Sequence, residues 1–259
     1  MTFPGRLEHF RAVDSTQRVV REWLDAGTPE VAVAVAGYQT QGRGRHGREW
    51  LAPAGSALLL SVGFRPAQMA ATHGWRLAAI VAMAMRDASE EVAGLADGTL
   101  GLKWPNDMVA DGQHGALLKV GGVLGESVAN GDQLESAVIG MGVNTDWKGA
   151  DFPWRLAPTM TSLRELAGRR PIDNAALLDA FLARLEPRYE ALRTGRFDAG
   201  GWSAAQRTTG RTVVVDTGTE MITGPASGVD PEGGALLMRG DDGTPRSIDS
   251  GDVVRCRVA

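Results

Sequence analysis

The sequence predicts an α+β (α/β) domain, in which helices pack against a mixed β-sheet, followed by a small all-β unit. Apolar runs of strand length alternate with longer helical patterns over the first two hundred residues. Beyond Gly200, short strand-like segments are separated by turn sequences such as Asp242-Gly243. We therefore predict two domains, residues 1–203 and residues 204–259.

The elements follow from local patterns. Asp14-Ser15-Thr16 groups three capping residue types and predicts a helix that ends at Gly27, whereas residues 1–13 show no organisation of their own. Residues 75–92 are apolar nearly all round and predict an interior helix against the sheet. Strands are predicted at residues 31–36, 56–62, 99–104, 116–119, 121–126, 137–144, 212–215, 221–223, 235–238 and 253–258. Further helices are predicted at residues 162–167 and 174–192.

The most informative stretch joins the first two predicted strands. Gly42-Arg43-Gly44-Arg45-His46-Gly47 matches the dinucleotide-binding pattern G-x-G-x-x-G, but no helix follows it and no acidic residue occurs between Glu49 and Asp87. A nicotinamide oxidoreductase is therefore excluded. Glycines interleaved with arginines predict a mobile cationic loop that closes over an anion. A solvated basic turn is the alternative, which the flanking strands disfavour.

Three further stretches have features that are typical of ligand-binding sites. Lys103-Trp104-Pro105-Asn106-Asp107 gathers polar side chains where a proline ends a strand. Gly140 and Gly142 alternate along one apolar strand and predict either a floor for a flat ligand or a crowded helix contact. Residues 145–160 form a loop long enough to be a lid.

Bulk properties narrow the class. The 259 residues carry a net charge of −4, which gives no bulk reason to expect nucleic-acid or membrane binding. Cys256 is the single cysteine, so an internal disulfide and a cysteine-rich zinc site are excluded. No signal peptide and no apolar run of ~20 residues occurs, and we expect a cytoplasmic protein. Walker A, H-E-x-x-H and G-x-S-x-G motifs are absent.

Taken together, several segments resemble the biotin protein ligase family, in the family's order over roughly residues 14–145. The segments are Asp14-Ser15-Thr16, Gln39 with residues 42–47 and Trp50, residues 103–107, residues 119–124 and Gly140-Met141-Gly142-Val143-Asn144. Gly251-Asp252-Val253-Val254 also resembles the end of the family's small C-terminal barrel. The resemblance implies a class II synthetase-like, biotin ligase-like catalytic fold with an SH3-like β-barrel at the C-terminus.

The resemblance also implies a two-step ligase reaction. Biotin and ATP, with Mg²⁺ carried by the nucleotide and no separate metal site, form biotinyl-5′-adenylate, whose acyl group passes to a lysine of a biotin carboxyl carrier domain. The implied partners are biotin, ATP and that carrier domain, with no DNA and no membrane, in a monomer or homodimer. Only 13 residues precede Asp14, so we expect a short form without a DNA-binding domain.

Site residues carried over by resemblance fall into three sets. The biotin-binding set is Ser15, Thr16, Gln17, Gln39, Gly42, Arg43, Gly44, Arg45, Trp50, Lys103, Gly140 and Gly142. The ATP-binding set is Arg43, Arg45, Lys103, Asn106, Lys119 and Asn144. The catalytic set is Arg43, Arg45, Lys103 and Asp107, in which Asp107 is a candidate base or orienting group for the transfer step.

Two departures and two alternatives accompany the resemblance. Gln17 stands where the family often has Asn, and His46 stands where Arg is common. A lipoate–protein ligase of related fold is the first alternative, and the Gly-Arg loop with residues 103–107 favours biotin over it. A non-catalytic phosphate- or nucleic-acid-binding module is the second, disfavoured by the pI of about 5.6. Trp75 and Trp154 are both candidates for stacking on adenine.

Overall fold

A computed structural model describes residues 3–258, and its larger part is one seven-stranded sheet. The strands are β1 (Arg6–Phe10), β2 (Ala32–Ala36), β3 (Ala57–Phe64), β4 (Leu100–Lys103), β5 (Asp107–Asp111), β6 (Leu117–Asn130) and β7 (Gln133–Asn144). Their spatial order is β1-β2-β3-β7-β6-β5-β4. β1 lies parallel to β2, and the other neighbours are antiparallel, so the predicted mixed sheet is confirmed.

The expectation that residues 1–13 lack organisation is wrong. Arg6–Phe10 form the edge strand β1, which pairs only with β2 and alternates between half-buried and exposed residues. Arg6 and Glu8 form an ion pair on the half-buried face of this strand, where the Arg6 guanidinium lies 3.8 Å from the centroid of the Trp23 ring. Such a pattern lacks the continuous apolar run by which β2 and β3 are predicted.

The two faces of the sheet differ in side-chain size. In β2, Ala32, Ala34 and Ala36 face one side, whereas Val33 and Val35 face the other. The helices are α1 (Thr16–Asp25), α2 (Trp75–Ala93), α3 (Leu163–Leu166), α4 (Asn174–Arg193) and α5 (Ala199–Ala204). The large side chains form the main core with α2 and α4, and α1 lies over the face of small residues.

The C-terminal part is a second, antiparallel sheet of five strands. They are β8 (Arg211–Asp216), β9 (Met221–Val229), β10 (Leu236–Arg239), β11 (Pro245–Ile248) and β12 (Asp252–Val258). Their order is β11-β10-β9-β8-β12, and within the described residues β11 and β12 are not paired, so the predicted barrel is not closed. The predicted boundary at residue 203 falls inside α5 and stays a prediction.

The two sheets are joined through an aromatic cluster. Trp75 lies 5.2 Å from Phe197 and 4.7 Å from Trp202 between ring centroids, and its indole nitrogen donates to the Glu232 carbonyl at 3.3 Å. Trp104 donates to the Gly234 carbonyl at 3.0 Å. Trp75 therefore packs between the sheets, which removes it as a candidate for stacking on adenine. Across residues 3–258, no helix combines the length and the apolar character needed to cross a membrane.

Candidate functional site

A cleft opens on the face of the sheet that carries small residues, beside the first turn of α1. Its free volume is about 30 Å³. Its lining residues come from α1, the loop after β2, and the strands β3, β6 and β7: Ser15, Thr16, Gln17, Gln39, Arg43, Trp50, Leu59, Leu60, Ser61, Gly122, Leu124, Gly140, Met141 and Gly142. The cleft exists because the paired strands place glycine or serine where larger residues would fill it.

One end of the cleft is a polar cluster around Thr16. Its hydroxyl lies 2.8 Å from the Ser61 hydroxyl and 3.1 Å from the Gln39 side-chain oxygen, which also accepts from the Thr16 amide at 2.7 Å. Ser15 occupies the helix cap position, but its side chain makes no capping hydrogen bond. Buried hydroxyl and amide groups in this arrangement are donors and acceptors for a small polar ring.

Gln17 borders the same end from the next position of α1. Its amide nitrogen donates to the Leu124 carbonyl at 3.0 Å, and its side chain lies against Gly140, where an added Cβ would come within 3.2 Å of its side-chain oxygen. The glutamine that departs from the family pattern is thus buried and turned into the cleft.

The floor of the cleft is glycine backbone, and Trp50 lies on it. Gly122 and Gly142 are paired across β6 and β7, and a Cβ at Gly142 would lie 2.6 Å from Cε2 of Trp50. Only a residue without a side chain permits this contact. The Lys119 ammonium lies 5.2 Å from the centroid of the Trp50 ring, within cation–π distance.

The loop of residues 42–50, here called the arginine loop, is a small hairpin. The Trp50 amide donates to the Gly42 carbonyl at 2.9 Å, and the Gly44 amide donates to the Arg48 carbonyl at 2.7 Å. A Cβ at Gly42 would lie 2.5 Å from the Trp50 carbonyl oxygen, so glycine is required there. Arg43 lies at the base of the hairpin and lines the cleft, whereas Arg45 lies at its tip and turns away.

A second group of charges lies where β4 ends and β5 begins. The Asp107 carboxylate is 2.6 Å from the Lys119 ammonium and 3.8 Å from the Lys103 ammonium. Lys103 also donates to the Val253 carbonyl at 2.8 Å. The Asn106 side chain donates to the Val123 carbonyl at 2.9 Å and thereby holds the turn against β6. Two cations around one carboxylate leave a net positive charge.

Asn144 ends β7 and is completely buried. Its amide nitrogen donates to the Thr161 carbonyl at 3.1 Å, while its side-chain oxygen is buried without a hydrogen-bond partner among the described residues. A buried acceptor without a donor carries a free-energy cost, and a bound ligand that donates an N–H group would remove it. The loop that includes Trp154 passes beside Asn144, and the Trp154 side chain is 78% exposed.

Two pKa shifts occur around the site. A hydrogen bond from Arg18 lowers the pKa of Asp14, which also accepts from the Ser15 amide at 2.7 Å. Burial raises the pKa of the Cys256 thiol on β12, and the nearby Arg211 and Lys103 charges oppose that shift. Asp14 is therefore an anion that fixes the first turn of α1, and Cys256 is a neutral thiol at pH 7.

The structure brings together eight of the twelve residues predicted for the acid site in the lining of the cleft. The other four, Gly42, Gly44, Arg45 and Lys103, lie outside that lining. Sequence reasoning missed the six other lining residues, which come from β3, β6 and β7: Leu59, Leu60, Ser61, Gly122, Leu124 and Met141. Gly122 was within reach, because it lies in the segment 119–124 that resembles the family. Ser61 gives no sequence signal, since it sits inside an apolar strand.

Comparison with known proteins places the chain in a family. The pattern of the biotin/lipoate A/B protein ligase family matches residues 9–144, and the biotin protein ligase C terminal domain matches residues 208–255. The chain is 32% identical over 243 residues to a bifunctional ligase/repressor BirA of Bacillus subtilis, covering 93% of this chain and 71% of the relative. It is 34% identical over 225 residues to a biotin–[acetyl-CoA-carboxylase] ligase of Paracoccus denitrificans, covering 85% and 89%.

Solved structures agree with the sequence relatives. The structure of the biotin protein ligase from Aquifex aeolicus in complex with biotin and ATP superposes with a TM-score of 0.77 at 28% identity, covering 98% of this chain and 100% of that one. The matches extend over both sheets and over the segments that build the cleft. The chain therefore belongs to the biotin/lipoate A/B protein ligase family, as a biotin protein ligase.

Proposed function

We propose that this chain joins biotin to ATP and then transfers the biotinyl group to a lysine of a biotin carboxyl carrier domain. One observation carries the proposal. The cleft combines a buried polar cluster, a glycine floor and a cationic arginine, and it lies in a chain whose relatives are named as biotin ligases. A small polar ring fits the closed end, and a carboxylate fits the cationic end.

The acid would lie along the glycine floor. Thr16, Ser61 and Gln39 would hydrogen-bond the ureido ring, with Ser15 and Gln17 bordering it. Gly140 and Gly142 would floor the site by letting Gln17 and the Trp50 indole pack directly on the β7 backbone, and the fused rings would then contact those two side chains. The carboxylate end would then reach Arg43 at the base of the arginine loop. Burial of both the polar ring and its partners supports selectivity, because a ligand without the ring leaves those groups unpaired.

The first step brings two anions together. A carboxylate oxygen attacks the α-phosphorus of ATP, a mixed anhydride bond forms, and pyrophosphate leaves. The barrier is reduced chiefly by alignment and by positive charge. Arg43, Lys103 and Lys119 would supply that charge, with Arg45 at the rim. The unpaired oxygen of Asn144 would accept from the adenine amino group, and Asn106 would act indirectly by holding the turn that carries Lys103 and Asp107.

Mg²⁺ would enter with the nucleotide. Among residues 3–258, no group of three His, Cys, Asp or Glu side chains is arranged to hold a metal ion. The Asp107 carboxylate is already paired with two lysines. These residues suit a metal that is coordinated mainly by phosphate oxygens. The metal would then be part of the MgATP substrate.

In the second step, the ε-amine of the carrier lysine attacks the acyl carbon and AMP leaves. The attacking amine must be neutral, and its nitrogen must lose one proton when the amide forms. Asp107 would orient that amine or accept the proton. Lys119, at 2.6 Å from Asp107, would fix its position.

We also propose that the catalytic and C-terminal domains divide near residue 203.

The test is the intact mass of a lysine-bearing carrier domain after incubation with this protein and MgATP, with biotin or lipoate offered separately. A gain of one biotinyl group that needs both ATP and this protein supports the proposal. A gain with lipoate alone would move the function to a lipoate–protein ligase. No gain in mass with either acid, over several carriers, would contradict the enzymatic function. The alternative would then be a non-catalytic phosphate-binding module.

A further inference from the structure

The tip of the arginine loop is bound by the C-terminal sheet. Arg45 donates through Nη1 to the Gly251 carbonyl at 2.9 Å and lies 3.4 Å from the Asp252 carboxylate. Arg48 forms a short ion pair with the other oxygen of Asp252, and His46 lies 3.7 Å from the same carboxylate. A single aspartate thus contacts three basic residues of the loop.

The next residue of the C-terminal sheet contacts the opposite side of the proposed site. The Val253 carbonyl accepts from Lys103 at 2.8 Å. Three consecutive residues, Gly251, Asp252 and Val253, therefore hold a cation of the loop on one side and a cation of the β4 end on the other. This segment opens β12, whose pairing with β8 fixes its backbone.

The contacts with the C-terminal sheet involve one edge of the Arg45 guanidinium group. Every described hydrogen bond of Arg45 uses Nη1, so Nε and Nη2 remain for a ligand. A guanidinium that is bound at one edge and open at the other is oriented without being neutralised at its ligand-binding edge. The Asp252 side chain is 20% exposed, which screens the contact less than a fully exposed pair.

The tip of the loop has few other contacts that keep it closed. None of its residues belongs to a hydrophobic core cluster of the described chain, and its tip residue His46 has a left-handed conformation, with φ of 54°. Trp50 anchors the base of the loop on Gly142, so the part that lacks apolar anchoring among the described residues is the tip, residues 44–48, and such a segment opens readily. We propose that Asp252 is a positioning residue that keeps the arginine loop closed through Arg45 and Arg48, so that the C-terminal domain controls retention of the activated acid; the retention half rests on the proposed function.

The first experiment measures the loop itself and needs no activity. Hydrogen exchange of the amides of residues 42–50 is compared between the unmodified chain and Asp252→Asn, without ligand. We expect at least a threefold faster exchange in the variant. Asp249→Asn, an exposed aspartate three residues away in the bend between β11 and β12, is the matched control and should leave the exchange unchanged. Equal exchange in Asp252→Asn and the unmodified chain overturns the proposal.

The second experiment measures retention. Adenylate release into solution, after a single turnover with biotin and MgATP, should rise about tenfold in Asp252→Asn, with a higher KM for ATP and a smaller change in kcat. Arg48→Gln removes the partner at the exposed end and should show the same release, and Asp252→Glu should restore part of the retention. Unchanged release in both Asp252→Asn and Arg48→Gln overturns the retention role.

The two experiments separate the failure of this inference from failure of the proposed function. If the unmodified chain forms no adenylate with biotin, the proposed function fails, and retention fails with it. The exchange result still decides whether Asp252 holds the loop. If adenylate forms and the loop exchanges faster but release does not change, Asp252 has a structural role only and the inference is overturned.

Discussion

The floor of the cleft and the arginine loop are built in opposite ways. The floor is buried backbone of β6 and β7, where strand pairing fixes Gly122 against Gly142. The loop is a hairpin on the surface, and its tip depends on one carboxylate of the other sheet. The shape of the cleft is therefore set by the sheet register, whereas the position of the charges at the loop tip is set by side chains that need contacts from the other sheet.

The largest effect is expected from removing a charge. Lys103→Ala should lower the rate of adenylate formation about 100- to 1000-fold, because a preorganised cation near the developing charge contributes on that scale. The measurement is pyrophosphate release with biotin in a stopped-flow assay. Lys148→Ala is the matched control, since Lys148 lies on a loop with no described ion pair, and its rate should match that of the unmodified chain. Equal rates for both variants would remove Lys103 from the reaction.

The second effect separates the two steps. Asp107→Asn should slow transfer to the carrier lysine about 100-fold, at the low end of general-base effects, while adenylate still forms. Single-turnover transfer from preformed adenylate measures this directly. Asp97→Asn, on an exposed turn, should transfer normally. Normal transfer by Asp107→Asn would leave Asp107 as a group that only holds Lys119 and Lys103 in place.

The third effect tests the floor. In Gly142→Ala the new Cβ would lie 2.6 Å from Trp50, so the indole must shift into the space of the ligand. We expect biotin affinity to fall about tenfold, or about 1.4 kcal/mol, by calorimetry. Gly200→Ala, in α5, has no atom closer than 3.9 Å to its added Cβ and should bind biotin normally. If both variants bind alike, the floor does not determine the fit.

Sequence patterns predicted the interior strands and the long helix better than the edge strand and the individual residues of the cleft. Continuous apolar runs predicted the buried strands β2, β3 and β7 and the helix α2. The alternation of Gly140 and Gly142 predicted the floor of the cleft. The edge strand β1 was not predicted because its five residues, Arg6–Phe10, contain no continuous apolar run. Ser61 escaped because nothing local distinguishes a cleft-lining serine from one that is merely buried.

The charged region shows a different limit. The sequence placed Arg43 and Arg45 together in the catalytic, biotin-binding and ATP-binding sets. The structure separates them, because Arg43 lines the cleft and Arg45 contacts Gly251, more than two hundred residues along the chain. Contacts of that span depend on how two sheets dock, through Trp75, Phe197 and Trp202, and no local pattern encodes the docking. The resemblance of residues 251–254 to the family marked the segment without giving its partner.

The smallest effect is expected at the start of α1, where Asp14 lies beside the cleft. Arg18 hydrogen-bonds Asp14 and lowers its pKa below the ordinary 3.8, and Asp14 in turn accepts from the Ser15 amide beside the cleft. A carboxylate with a depressed folded-state pKa stabilises the fold above its ordinary pKa, and that contribution is lost as the pH falls through the folded value. The Tm difference between the unmodified chain and Asp14→Asn should therefore be constant from pH 7 down to about pH 5 and shrink in stronger acid. Arg18→Gln should remove most of the same difference. A Tm gap that persists unchanged well below pH 3.8 would mean that Asp14 acts through its shape and not its charge.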